Sequence, residues 1–206
     1  MWYSDIRVLV NRGDEMSSLK YKTIIGFGHQ MGVGKDAAAE FLVDKYGFKQ
    51  LKFADTLKDV CCTVFGWDRY QLEDQNFKAT EDSFWEITPR RALQLVGTDA
   101  MRNNLRQDIW VKALERKIRA TYHQNYVITD VRFPNEAEAI LRWGGHVIRI
   151  DRPGYSSTDP NQHASETALL DYPKWTCSID NDGTVEDLQK KVKAELANLG
   201  VHLKQT

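Results

Sequence analysis

Short apolar runs alternate with amphipathic stretches along most of the chain. Thr23 to Phe27 is almost wholly apolar and predicts a buried strand, and Ala37 to Lys45 follows with helical spacing. Phe48 to Phe53 predicts a second strand, leading into a helix from about Thr56 to Phe65, whereas Trp67 to Trp85 is polar and aromatic without clear period. Further helices are expected at Pro89 to Val96, with proline in the first turn, and at Ile109 to Ala120. Tyr126 to Thr129 reads as a buried strand ending in Asp130, Asn135 to Trp143 as a helix stopped by Gly144-Gly145, and His146 to Ile150 as a strand running into Arg152-Pro153-Gly154. Ser178 to Asp180 makes a last short strand, and Val185 to Leu199 a closing helix with Gly200 just past its end. This alternation of strand and helix predicts an α/β fold, a three-layer sandwich with a central parallel sheet and helices on both faces.

The turn after the first strand changes the picture from fold to chemistry. Residues 24 to 38 read Ile-Ile-Gly-Phe-Gly-His-Gln-Met-Gly-Val-Gly-Lys-Asp-Ala-Ala, an apolar run feeding a glycine-rich turn whose lysine opens a helix. That is the layout of a phosphate-binding P-loop. Glycines let backbone N–H groups curl into an anion nest, and the helix N-terminus adds partial positive charge. Gly32, Val33, Gly34, Lys35, Asp36 and Ala37 are therefore the expected nucleotide-binding residues, with Lys35 reaching the β- and γ-phosphates. Two positions depart from the usual pattern: His29 stands where a glycine is usual, and Asp36 replaces the hydroxyl residue that normally binds magnesium. The Asp36 carboxylate can serve a metal directly or through water.

Length and charge bound the remainder. The 206 residues suit one domain, read here as 21 to 206, preceded by an extension over residues 1 to 20 that is expected to be variable or poorly ordered. A net charge of −1, with both signs spread along the chain, offers no basic field for a nucleic acid polymer, so the expected ligand is a small nucleotide. Cys61, Cys62 and Cys177 form neither a disulfide framework nor a zinc pattern, which fits a reducing cytoplasm. No apolar run approaches the ~20 residues of a membrane span, and the first residues lack the basic and apolar regions of a signal peptide.

In open α/β sheets ligands sit at the carboxyl ends of strands, so residues just after strands are the first candidates. Asp55 and Lys58 follow the second strand, three apart; substrate contact competes there with plain helix N-terminal charge and a solvated lysine. After the buried strand come Asp130 and Arg132, a metal-shell carboxylate and a phosphate-neutralising cation, against the alternative of a cap and a surface ion pair. Arg91 and Gln94 could grip a phosphate and a base edge from a short helix, and Trp110 reads equally as core filling or as a stacking surface.

Taken together these segments resemble the deoxynucleoside monophosphate kinases of DNA phages, a branch of the P-loop nucleoside-monophosphate kinases. The pieces are Gly-Val-Gly-Lys-Asp at 32 to 36, Phe-Ala-Asp-Thr-Leu-Lys at 53 to 58, Arg-Arg-Ala-Leu-Gln-Leu-Val-Gly-Thr-Asp at 90 to 99, and Asp-Ile-Trp-Val at 108 to 111. They continue with Asp-Val-Arg-Phe-Pro-Asn-Glu at 130 to 136, Arg-Pro-Gly at 152 to 154, His-Ala-Ser-Glu at 163 to 166 and Asn-Asp-Gly-Thr at 181 to 184. The resemblance implies transfer of the ATP γ-phosphoryl group to a deoxynucleoside monophosphate, with magnesium held through Asp36 and Asp130. It implies Lys35, Arg91, Asp130, Arg132 and Arg152 as the catalytic set. Lys58, Arg91, Gln94, Gly97, Thr98, Trp110, Arg132 and Glu136 would surround the monophosphate, and Asn181 to Gly183 would lie beside the adenine of ATP. A substrate-binding helical region is expected over about 67 to 110, and a lid over about 152 to 175 that includes His163 and Glu166. Relatives also suggest a homodimer, for which Trp67, Trp85, Trp143 and Trp175 would permit an apolar interface, although scattered tryptophans are equally core residues. Alternatives are a P-loop kinase of another small phosphorylated metabolite, or a nucleotide-triggered binding module; the chain has no Asn-Lys-x-Asp guanine-reading sequence.

Overall fold

In the computed structural model the described residues are 23–30, 32–121, 124–154 and 167–204. The expected extension over residues 1 to 20, and His163 and Glu166 of the expected lid, lie outside them. The first strand, β1 (Ile24–Gly28), is buried at every position, as a central parallel strand must be when helices cover both faces. It leads to α1 (Lys35–Tyr46), β2 (Lys49–Leu51) and α2 (Ala54–Phe65). A 3₁₀ turn (Gln71–Glu73), α3 (Gln75–Ala79) and α4 (Pro89–Gln94) come next, and α4 widens into a π-helical segment (Leu95–Leu105). The chain continues through α5 (Ile109–Arg119), β3 (Tyr126–Val131), α6 (Pro134–Arg142), β4 (His146–Asp151), β5 (Cys177–Asp180) and α7 (Val185–Asn198).

Among the described residues five strands lie in the order β2-β3-β1-β4-β5, with parallel pairing throughout. Because side chains alternate across a strand, the sheet divides the apolar residues between two cores. Ile24, Tyr126 and Ile128 pack on one face with Trp110 and Leu114 of α5 and Ile140 of α6. Ile25, Phe27, Val127 and Ile148 pack on the other, against Leu42 of α1 and Val192 and Leu196 of α7. This is the expected three-layer α/β arrangement.

A third cluster, Cys61, Trp67, Leu72 and Ala92, sits apart from the sheet. It explains the stretch from Trp67 to Trp85 that shows no period. The Phe65 and Trp67 rings stack at 4.4 Å, Phe77 meets Trp67 edge-on at 6.3 Å, and the Trp67 indole N–H donates to Asp82. Aromatic stacking, rather than one amphipathic face, holds this region together. Of the four tryptophans that read equally as interface or core, Trp67 and Trp143 are 6% exposed and belong to the interior, while Trp85 is 40% exposed.

Two boundaries differ from expectation for reasons that matter to the site. β2 ends at Leu51 and α2 begins at Ala54, because the N–H groups of Phe53 and Ala54 turn to the Asp130 carboxylate, at 2.8 and 2.9 Å. The helix expected to stop at Val96 runs on as the π segment, where Gly97 is buried. A Cβ there would stand 2.6 Å from Leu57 Cδ2, so a larger residue would require the Leu57 side chain to move.

Candidate active site

A cleft of about 640 Å³ opens along the carboxyl ends of the strands, from the loop before α1 to α4 and the π segment. At one end Gly34, with φ of +106°, caps the start of α1 in a left-handed conformation, and Gly32 has φ of +80°. These angles aim the helix N-terminus at the cleft, as an anion nest requires. His29 meets the same demand without being glycine, at φ of +91°. Its nearly buried ring places Nδ1 3.0 Å from Asp151 Oδ1 at the end of β4. Burial and then the neighbouring Arg149 cation push the His29 pKa below its ordinary value, so the ring is neutral near pH 7. The Lys35 ammonium lies across its own loop, donating to the carbonyls of His29 (3.2 Å) and Gln30.

Seven cations line the cleft, Lys35, Lys52, Lys58, Lys78, Arg90, Arg102 and Arg132, against the carboxylates Asp36, Glu73, Asp130 and Glu136. The chain as a whole carries −1, so this excess of positive charge is local and suits a polyanionic ligand. The apolar surface of Leu57, Leu93, Trp110 and Phe133 adjoins it, offering a flat aromatic ligand somewhere to lie.

A family model described as deoxynucleotide monophosphate kinase matches residues 69 to 192. A protein of Acanthamoeba polyphaga mimivirus, named provisionally as such a kinase, is 36% identical over 182 residues, spanning 82% of this chain and 93% of its own. The chain belongs to the deoxynucleotide monophosphate kinase family. The deoxynucleotide monophosphate kinase of Enterobacteria phage T4 is 32% identical over 146 residues, 65% of this chain and 58% of that one. The deoxynucleoside-5′-monophosphate kinase of Escherichia phage T5 is 48% identical over 89 residues, 40% of this chain and 35% of that one. The fold is similar to the crystal structure of TT1252 from Thermus thermophilus, with a TM-score of 0.52 at 18% identity, covering 87% of this chain and 99% of that one.

Most of the kinase's expected site residues do converge. Gly32, Gly34, Lys35, Asp36 and Ala37 form one end of the cleft, and Lys58, Gln94, Gly97, Thr98, Trp110, Asp130, Arg132 and Glu136 line the remainder. Several are nevertheless held in ways that alter their expected roles. Both Asp130 oxygens accept backbone N–H groups at the start of α2, so from the cleft wall it also organises the β2–α2 turn; burial raises its pKa against the pull of those two bonds. Glu136 is 3% exposed; its Oε1 takes Arg102 Nη2 at 2.6 Å and its Oε2 takes the N–H groups of Arg132 and Phe133. It positions the Arg132 turn from beneath. Trp110 is 5% exposed with its indole N–H on the Gly97 carbonyl at 2.9 Å, so it is chiefly core that shows one edge to the cleft.

Other expected residues fall outside the cleft. Arg90 and Arg91 are both exposed, and of the two Arg90 lines the cleft wall. The reason is helical phase: Arg90, Leu93, Gln94 and Gly97 share one face, and Arg91 sits a third of a turn away. Asp55 turns from the cleft to accept the Lys52 N–H and Arg69 Nη2, the latter at 2.7 Å. Arg152 is exposed just beyond β4, away from the cleft lining. The Val33 side chain is buried at 1% exposure, while its carbonyl accepts from Asn181 Nδ2 at 2.9 Å. Asn181 thus braces the phosphate loop from outside, and a Cβ on Gly34 would meet that same amide nitrogen at 2.6 Å. Gly183 is exposed beside the Thr184 cap of α7.

Residues that the sequence did not single out complete the walls. Glu73, Gln75 and Lys78 enter from the aperiodic stretch, Lys52 from the end of β2, and Arg102 from the π segment. A helical-face count back from Gln94 would have found Arg90. No local signal marks Arg102, whose partner Glu136 is 34 residues away.

Proposed function

We propose that this kinase transfers the γ-phosphoryl group of ATP to the 5′-phosphate of a deoxynucleoside monophosphate, yielding ADP and the diphosphate. One observation carries the reading: a single cation-rich cleft joins the glycine-lined helix N-terminus at Lys35 to the wall made by Arg90, Gln94, Gly97 and Thr98. Two phosphorylated ligands can meet end to end there. An acceptor phosphate oxygen attacks the γ-phosphorus, a new P–O bond forms, and the bond to the β–γ bridging oxygen breaks with its electron pair leaving on ADP. The acceptor oxygen is already a nucleophile, so positioning and charge neutralisation supply the catalysis without a general base. Lys35 neutralises charge on the transferring group, Lys58, Arg90 and Arg132 hold the acceptor phosphate, and Gln94 and Thr98 face the nucleoside.

Magnesium suits this donor set as a partner of the nucleotide. Asp36 is an exposed carboxylate beside the phosphate loop, and Mg²⁺ is held by one or two carboxylates together with phosphate oxygens and waters. Bound there, the ion would screen the charge on the β- and γ-oxygens. The proposal includes a cytoplasmic homodimer acting on small nucleotides; three free thiols agree with a reducing compartment, and sedimentation tests the dimer.

Incubation with ATP, magnesium and each of dAMP, dCMP, dGMP and dTMP, with ribonucleotides alongside, tests the activity by chromatography of the products. Diphosphate formation from at least one deoxynucleotide is expected; ATP binding without transfer to any would move the reading to another acceptor. The helical phase of α4 adds a sharper expectation. Arg90→Ala should raise KM for the monophosphate about tenfold or more, the worth of one charge-assisted hydrogen bond. Arg91→Ala should change it by less than about twofold, as expected for a solvated surface charge. Equal losses in the two variants would refute the assignment of that face.

A further inference from the structure

We infer that Lys78, on the short helix α3, binds the 5′-phosphate of the acceptor, completing a four-cation cradle with Lys58, Arg90 and Arg132. The inference rests on the kinase reading of the cleft and assigns a residue in the stretch where the sequence pattern offers none.

The position is built rather than incidental. Asp74 caps α3 by accepting the Phe77 N–H at 2.7 Å, and the Phe77 ring packs against Trp67 in the satellite cluster. With Phe77 pinned to one side, Lys78 is carried to the cleft wall. The other three cations arrive from separate elements: Lys58 from α2, Arg90 from α4, and Arg132 from the turn after β3. Four positive side chains from four segments therefore line one cavity, and Lys78 lies close enough to the other three to be repelled by each.

The carboxylate that acts on Lys78 is already committed to other cations. Glu73 is the nearby carboxylate, but it is engaged by Lys58 at 2.6 Å and by Arg69. Burial alone would raise its pKa; the hydrogen bonds from Lys58 and Arg69 outweigh that and hold it down at about 2. Arg90 donates to a neutral acceptor, Gln75 Oε1, at 3.1 Å. Lys78 makes no ion pair among the described residues. Partial burial, followed by repulsion from Lys58 and Arg90, pushes its pKa below the ordinary lysine value. Converging like charges in a partly desolvated place weaken the unliganded protein, and a ligand bearing two negative charges reverses the sign of that cost. A phosphate monoester, with its second pKa about 6, is mostly such a dianion at neutral pH.

Binding constants of a deoxynucleoside monophosphate, the matching uncharged deoxynucleoside and ATP, measured by calorimetry on wild type, Lys78→Met and Lys78→Arg, test the inference, with melting curves of each protein. Lys78→Met is expected to weaken the monophosphate about tenfold or more. Affinity for the deoxynucleoside and for ATP should stay within about twofold, the melting temperature should not fall, and Lys78→Arg should retain most monophosphate affinity. Unchanged monophosphate affinity in Lys78→Met would overturn the inference. So would a parallel loss for all three ligands with a lower melting temperature, which is the mark of a purely structural role. Failure of wild type itself to bind any monophosphate overturns the kinase reading instead, so the two failures are distinguishable.

Discussion

Lys35→Ala is expected to lower the rate of phosphoryl transfer by about 10²-fold or more, the scale on which removal of one preorganised charge-stabilising donor acts. The ammonium is partly buried and donates to the carbonyls of His29 and Gln30, within its own loop. The start of α1 is shaped by Gly34, whose left-handed backbone caps the helix. The folded state should therefore survive the substitution, with a melting temperature within a few degrees of wild type while turnover collapses. Steady-state assays with ATP and the best monophosphate, beside a thermal melt, separate these effects. A fully active Lys35→Ala enzyme would remove the P-loop assignment and with it the direction in which the cleft is read.

Arg102→Ala should act through stability instead. Arg102 is 7% exposed, and Glu136 is 3% exposed against it. The guanidinium also donates to the Gln107 carbonyl and to Asn135 Oδ1 and lies 3.9 Å from the centre of the Phe133 ring. Removing it leaves a buried carboxylate without its cation, a loss of about 3–5 kcal/mol, and a fall in melting temperature on the order of 10 °C for a chain of this size. The pH dependence carries a definite sign. Burial raises the Glu136 pKa to about 7 from an ordinary 4.5, although Arg102 pulls it down. Between those values the unfolded chain binds fewer protons than the folded one, so the stability this group contributes falls as pH rises from 4.5 to about 7 and is flat above. In Arg102→Ala the restraining cation is gone, so the decline should extend above pH 7. Urea unfolding at a series of pH values checks both statements. A variant as stable as wild type would show that the pair is not the clasp between the π segment and α6. Pairing Arg102→Met with Glu136→Gln should recover most of the loss, since neither charge is then left alone.

The parts of the site that were legible are those whose chemistry is local. A glycine-rich turn between a buried strand and a helix has one economical use, and Gly32, Gly34 and Lys35 occupy the cleft as that pattern requires. Asp130 and Arg132 were found by the rule that function gathers at the carboxyl ends of strands. Whether a carboxylate there faces a metal or the backbone depends on what the chain does 77 residues earlier, where Phe53 and Ala54 turn their N–H groups to it. Arg90 and Arg91 are adjacent in the sequence and chemically identical. Only the phase of α4, set by the burial of Pro89 and Ala92, separates them.

By itself the sequence determined the order of strands and helices, the phosphate loop and the family, because apolar period, glycine placement and contiguous motifs are properties of neighbouring residues. The tertiary structure decided which charges share the cleft. Lys58 meets Glu73, Arg102 meets Glu136, Asn181 braces Val33, and Lys78 reaches the wall from a segment with no helical or strand period. Each of those meetings joins residues from different elements, and their energies depend on burial and separation, quantities that exist only once the sheet, its two cores and the aromatic satellite have packed.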